Sequence, residues 1–177
     1  MSNSKWNMDP SHSEVTFKVK HMMITNVTGT FDAFEGTVEK TEESFENANI
    51  SFSADIASIS TRNEQRDGHL KSEDFFNAAE FPKLSFQSTQ FKNVGGNSFE
   101  LSGNLSLKGV THLVTLNVEH TGVVVDPYGQ TKAGFEIEGK ISRSAFGLTW
   151  NAVTEAGGVV VSDEVKLQIN AQFVLAV

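Results

Sequence analysis

Along most of this chain apolar and polar residues alternate, and that period of two constrains the fold more than any other feature. Val15, Phe17, Val19 and His21 interleave with Glu14, Thr16, Lys18 and Lys20. Successive side chains on a strand point to opposite faces, so the pattern predicts a strand with one face turned from water. It returns in Ile50, Phe52 and Ala54, in Leu84 and Phe86, and in Phe99, Leu101, Leu105 and Leu107. It returns again in Val114, Leu116 and Val118, in Ala133, Phe135, Ile137 and Ile141, and in Val165, Leu167, Ile169, Ala171 and Phe173. Residues 27–40 predict one further strand, with a bulge expected between Phe31 and Phe34 so that both rings reach the same side. Turn chemistry separates the strands at Lys108-Gly109 and at Asp126-Pro127-Tyr128-Gly129. No βαβ rhythm appears. The expectation is an all-β chain of about eight antiparallel strands, and an up-and-down barrel is the closure that leaves no free edge.

One stretch breaks the alternation. TRNEQRDGHLKSEDFFNAAEFP, residues 61–82, is dense in charge. Thr61 with Glu64 makes a capping-box pattern, and Ser72 followed by Glu73 and Asp74 makes a second start, so two short helices are expected between strands 3 and 4. Phe75, Phe76 and Phe81 would fasten this insertion to the end of a barrel. Arg62, Arg66, Asp67 and His69 form a charged cluster there. It serves either to meet a ligand's head group, through Arg66 and His69, or as an ion-pair network pinned to Asp9 and His12.

Composition excludes several functions. The net charge of −8 argues against nucleic acid as a partner. The absence of cysteine removes disulfides, thiolate metal sites and a cysteine nucleophile. The histidines show no ligand spacing, so no metal and no cofactor is expected. No run approaches an integral membrane segment. The start, MSNSKWNMDP, has no signal-peptide h-region, which predicts a cytoplasmic protein as written and a periplasmic one if a leader has been trimmed away. At 177 residues, one domain spanning 1–177 is expected.

Fourteen phenylalanines against one tyrosine point to a thick core or a ring-walled cavity. The residues expected inside are Phe17, Val19, His21, Phe31, Ile50, Phe52, Phe86, Leu105, Phe135, Ile169 and Phe173. An eight-stranded barrel either packs such side chains solid or encloses one slender ligand, and the alternation alone leaves both open.

The motif RNEQRDGHLKSEDFFNAAEFPKLSFQST resembles the signature of the YceI-like family. So do Trp6, Asp9, His12 and Ser13, the GNLSLKGVT hairpin, Arg143 with Phe146-Gly147, and the DEV of the last strand, in that order along nearly the whole chain. Ser60, Leu113 and Ala145 depart from the family pattern. The resemblance implies a lipocalin-like fold, an elongated eight-stranded antiparallel barrel around a long apolar tunnel. It implies a polyisoprenoid, isoprenoid quinone or fatty-acid amide as ligand, a stress-related bacterial role, and room for a homodimer, for which the sequence shows no self-complementary patch. A binding protein is therefore expected, not an enzyme. The rival is an enzyme acting at the barrel mouth through His12, Arg66 and His69, with a third option, an interaction module, requiring an exposed apolar patch.

Overall fold

The computed structural model describes residues 3–22, 24–41, 44–149 and 161–176. Trp150 and the expected strand start at Val159 lie outside them.

The strands are β1 (Ser4–Met8), β2 (Glu14–His21), β3 (Thr25–Phe31), β4 (Phe34–Lys40), β5 (Asn49–Asp55) and β6 (Ile59–Ser60), followed by β7 (Lys83–Gly95), β8 (Ser98–Leu107), β9 (Val110–Val125), β10 (Thr131–Ser142) and β11 (Val161–Leu175). All pair antiparallel. β1 and β2 lie end to end along β11, interrupted by a 3₁₀ turn at Pro10–His12. β3 pairs with β2, and β4 pairs with β1, so they too form one strand in two pieces. β5 and β6 make the third such strand, broken by a 3₁₀ turn at Ile56–Ser58. With β7 to β11 the barrel has eight strands, and the first closes on the last.

The expected strand at 27–40 is thus broken at Asp32 and Ala33, not bulged. The break has the same geometric effect. Phe31 stands opposite Val15, and Phe34 stands opposite Ala54, so both turn inward. Asp32 N–H and Asp55 N–H then bond Ser58 O and Ala33 O, which accounts for backbone groups the break would otherwise orphan.

The insertion holds a single helix, α1 (Glu64–Lys71). The cap is Asn63, whose side chain accepts the Arg66 N–H at 3.1 Å, and not Thr61. Glu64 and Asp67 lie in the first turn, and His69 and Lys71 in the last, matching the helix dipole. Ser72 ends this helix instead of starting another. Its N–H and its hydroxyl both bond the His69 carbonyl. The chain then doubles back, with Phe76 N–H on Leu70 O and Ala78 N–H on Lys71 O, through Asn77 at φ 50°. A second helix would have set Phe75 and Phe76 about 100° apart around its axis, on different faces. The reversal instead drives both rings into the barrel, where apolar burial outweighs local helix preference. Phe81 packs on the β8–β9 hairpin, where a Cβ at Gly109 would stand 2.9 Å from its ring.

The two ends of the barrel differ. At the end away from α1, rings fill the bore. Trp6 meets Phe45 at 5.4 Å between centroids, Phe45 meets Phe135 at 5.2 Å, His120 stacks on Phe135 at 4.7 Å, and Phe91 stacks on Phe99 at 4.6 Å. The α1 end carries the opening.

Candidate functional site

The inner faces of the strands do not meet in the middle. They wall a cavity of about 180 Å³, bounded almost wholly by apolar atoms. Its lining follows β11 at every second residue from Val165 to Phe173, roughly 26 Å of strand at ~3.3 Å per residue. Phe17, Val19, Phe31, Ile50, Phe52, Phe86, Leu105, Ile169 and Phe173 all line it.

Two expected residues do not. Phe135 belongs to the ring plug beyond the cavity, because its neighbours Phe45 and His120 crowd the bore there. His21 ends β2 and faces the mouth. Alternation placed both on the inner face correctly, but it cannot tell how far along the axis a residue sits.

Two glycines shape the bore. Phe17 stands directly opposite Gly29, and a Cβ built on Gly29 would fall 2.2 Å from the tip of the Phe17 ring. At Gly103 a Cβ would fall 2.4 Å from the Phe86 ring and 2.6 Å from the Gln87 carbonyl oxygen. Both rings therefore lie flat over a neighbouring strand, and this keeps the bore open.

Leu70, Phe75, Phe76, Arg143 and Leu148 cover the α1 end. Arg143 is the lining residue that alternation could not find. It follows β10 and is only 6% exposed. Its guanidinium donates to Leu148 O at 2.7 Å, Ser162 O at 2.8 Å and Val161 O at 3.1 Å, and lies 5.9 Å from the Phe75 ring. Burial pulls its pKa down and the Asp163 carboxylate pushes it back up. Asp163 accepts from the Ser142 hydroxyl and the Ser144 N–H, which hold its own carboxyl below the usual range. The family-pattern position Ala145 contributes its backbone, whose carbonyl bonds His112 Nε2 at 2.8 Å.

Beside α1 a mouth cleft opens, lined by Lys20, His21, Val27, Thr61, Asn63, Gln65, Arg66 and His69. It shares Phe17, Val19, Leu70, Phe75 and Val161 with the inner cavity. Among the described residues, no carboxylate lines it. The charged cluster is pinned locally. Thr61 donates its N–H and hydroxyl to Asp67 at 2.8 and 2.6 Å. Arg66 donates to Thr61 Oγ1 and O at 2.8 and 2.9 Å, and His69 Nε2 pairs with Asp74 at 2.9 Å.

His12 does not join this cluster. Its Nδ1 bonds Asp9 at 2.8 Å, and Lys132 bridges Asp9 to Asp126, at 3.9 and 3.3 Å. β2 separates the two groups: its seven steps from Glu14 to His21 span roughly 23 Å. The expected network between the insertion and Asp9 and His12 is thus absent, and so is a shared site of His12, Arg66 and His69. The first strand threads through both sites but places them at opposite ends. Among the described residues, no three His, Asp or Glu side chains gather as metal ligands would.

The sequence profile of the YceI-like domain matches residues 6–173. The chain belongs to the YceI-like family. A UPF0312 protein of Staphylococcus epidermidis is 35% identical over 171 residues, covering 96% of this chain and 97% of the relative. The crystal structure of the Campylobacter jejuni YceI protein superposes with a TM-score of 0.75 at 30% identity, covering 86% of this chain and 87% of that one. A polyisoprenoid binding domain from Saccharophagus degradans, implicated in plant cell wall breakdown, superposes with a TM-score of 0.70 at 17% identity, covering 97% and 98%. At that identity the likeness concerns the fold. This YceI-like chain keeps the whole barrel, with α1 between the third and fourth barrel strands.

Proposed function

We infer that this YceI-like barrel binds a long-chain apolar amphiphile and sequesters or carries it without catalysing a reaction. A polyisoprenoid, an isoprenoid quinone or a fatty-acid amide fits the reading. The observation that carries it is the apolar cavity continued into a mostly apolar mouth cleft that carries Lys20, Arg66 and His69. The tail occupies the Phe-lined bore, and the head stays at the mouth near Arg66 and His69. The fold shared with a polyisoprenoid binding domain supports the same choice of ligand.

The energetics favour a tail. Each buried methylene contributes about 0.8 kcal/mol. Ten of them supply about 8 kcal/mol, near micromolar affinity before the tail's lost rotamer freedom is subtracted. A short polar substrate would find almost nothing to hydrogen-bond inside.

The test is native mass spectrometry of protein purified gently from its own cells, followed by solvent extraction and by titration with a fluorescent polyprenyl or fatty-acyl probe. The expected result is a co-purifying lipid mass, or saturable one-to-one probe binding. A clean protein mass with no probe binding overturns the reading.

A further inference from the structure

The bore ends inside the barrel. Followed away from α1, four strands pass from residues that line the cavity to residues that fill it, each within one inward step. On β1 the change falls between Met8 and Trp6, and on β8 between Leu101 and Phe99. On β9 it falls between Leu116 and Val118, and on β10 between Ile137 and Phe135. Trp6, Phe99, Val118 and Phe135 are all buried, so together they make a floor. Phe135 meets the bore directly. Its ring lies 5.9 Å from that of Phe173, which still lines the cavity.

The floor is clamped in place. Phe135 has Phe45 edge-on at 5.2 Å and His120 stacked on it at 4.7 Å. His120 is itself fixed, because its Nδ1 donates to the Gly134 carbonyl at 2.9 Å. Phe45 does not come from the barrel wall. It enters from the loop between β4 and β5. That loop is tied to β7 by Asn47 N–H on Phe91 O at 2.8 Å and by Asn93 N–H on the Glu46 carboxylate at 2.9 Å. A tail that reaches Phe135 therefore meets rings already in contact with one another. Pushing further would drive them off their rotamers.

We propose that Phe135, backed by Phe45 and His120, sets the longest tail that the barrel takes up. The inference rests on the tail-binding reading above and adds a length to it. From Val165 to Phe173 the lining follows roughly 26 Å of strand at ~3.3 Å per residue. Barrel strands tilt ~40° from the axis, which leaves a depth of about 20 Å. An extended tail with ~1.5 Å bonds at ~111° advances about 1.25 Å per carbon, so about 16 chain carbons, or about four isoprene units, fit between mouth and floor. Carbons beyond that stay at the mouth and add nothing to affinity.

The test is displacement of a fluorescent fatty-acyl probe by linear fatty-acid amides of about 8 to about 24 carbons, a range that brackets the limit. In wild type, affinity is expected to climb about two- to fourfold with each methylene and to level off at about 16 carbons. Phe135→Ala lowers the floor by one inward step, about 5 Å of depth, and is expected to move the break to about 20 carbons. Ile137 lines the cavity one inward step nearer the mouth. Ile137→Phe is expected to move the break down to about 12 carbons, while amides of about 8 carbons bind within about threefold of wild type. This variant adds atoms to an existing space, so it decides the matter even if the hole left by Phe135→Ala unfolds that protein. An unbroken climb to the longest amide in wild type overturns the proposal. So does a break that stays in place in Ile137→Phe. Either result leaves tail binding itself standing. Displacement by no amide of any length overturns the tail-binding reading and this proposal with it.

Discussion

Gly29→Ala is the sharpest probe of the cavity. The added Cβ would stand 2.2 Å from the Phe17 ring tip, and ordinary contact begins at 3.4 Å, so the ring must retreat by about 1.2 Å. No strand backbone is among the three nearest atoms. The obstacle is the free end of a side chain, and the ring can retreat only into the inner cavity and the mouth cleft that it lines. The folded protein then loses little, about 1 kcal/mol for an off-rotamer ring. If the tail occupies the cavity as proposed, the ligand loses more, because the ring enters the space the tail would fill. Overpacking costs about 1–3 kcal/mol, which weakens binding roughly 5- to 150-fold. The assay pairs probe titration with calorimetric melting. The expected result is a melting point within about 4 °C of wild type and at least fivefold weaker binding. Trimming the same ring in Phe17→Leu/Gly29→Ala is expected to restore affinity. Unchanged probe affinity in folded Gly29→Ala would refute the reasoning, since the tail would then not pass Phe17.

Arg143→Met strands three carbonyls that the guanidinium now serves, and destabilisation by about 3 kcal/mol is expected, read as a drop of roughly 10 °C in melting point; a drop under 2 °C would show that the α1 end does not depend on it. Asp9 and Asp163 have carboxyls held below the ordinary range, Asp9 chiefly by His12 and Ser11 and Asp163 chiefly by Ser142 and Ser144. A depressed carboxyl stabilises the fold above its unfolded pKa of ~3.9 and loses that contribution as pH falls through the folded value. The melting point should hold from pH 7 to 5 and fall below about pH 4, with a shallower acid slope in Asp163→Asn; an identical slope in that variant would rule out its share. His69→Ala breaks the pair with Asp74 and removes an edge contact with the Phe75 ring at 5.1 Å, but His69 does not itself line the inner cavity, so tail affinity should stay within threefold, and a tenfold loss would move the ligand's main contact to the mouth.

The alternation made the barrel legible because a half-buried sheet writes its two faces into the sequence, residue by residue. Phe17, Val19, Ile50, Phe52, Phe86 and Leu105 could be set on the inner face for that reason. Arg143 could not, because it lies in a turn where no period applies. The second helix failed for a related reason. Ser72, Glu73 and Asp74 carry a helix start, but Phe75 and Phe76 gain more by entering the barrel than that start gains by propagating.

The sequence by itself determined the strand faces, the eight-strand count and the site of the insertion, since each rests on local patterning. Only the tertiary structure decided depth and distance. It separated His12 from His69, set Phe135 in the plug instead of the bore, and kept the bore open by laying Phe17 over Gly29 and Phe86 over Gly103. Such outcomes depend on where each strand starts against its neighbour. Register is a property of the closed sheet, which no single strand's sequence carries.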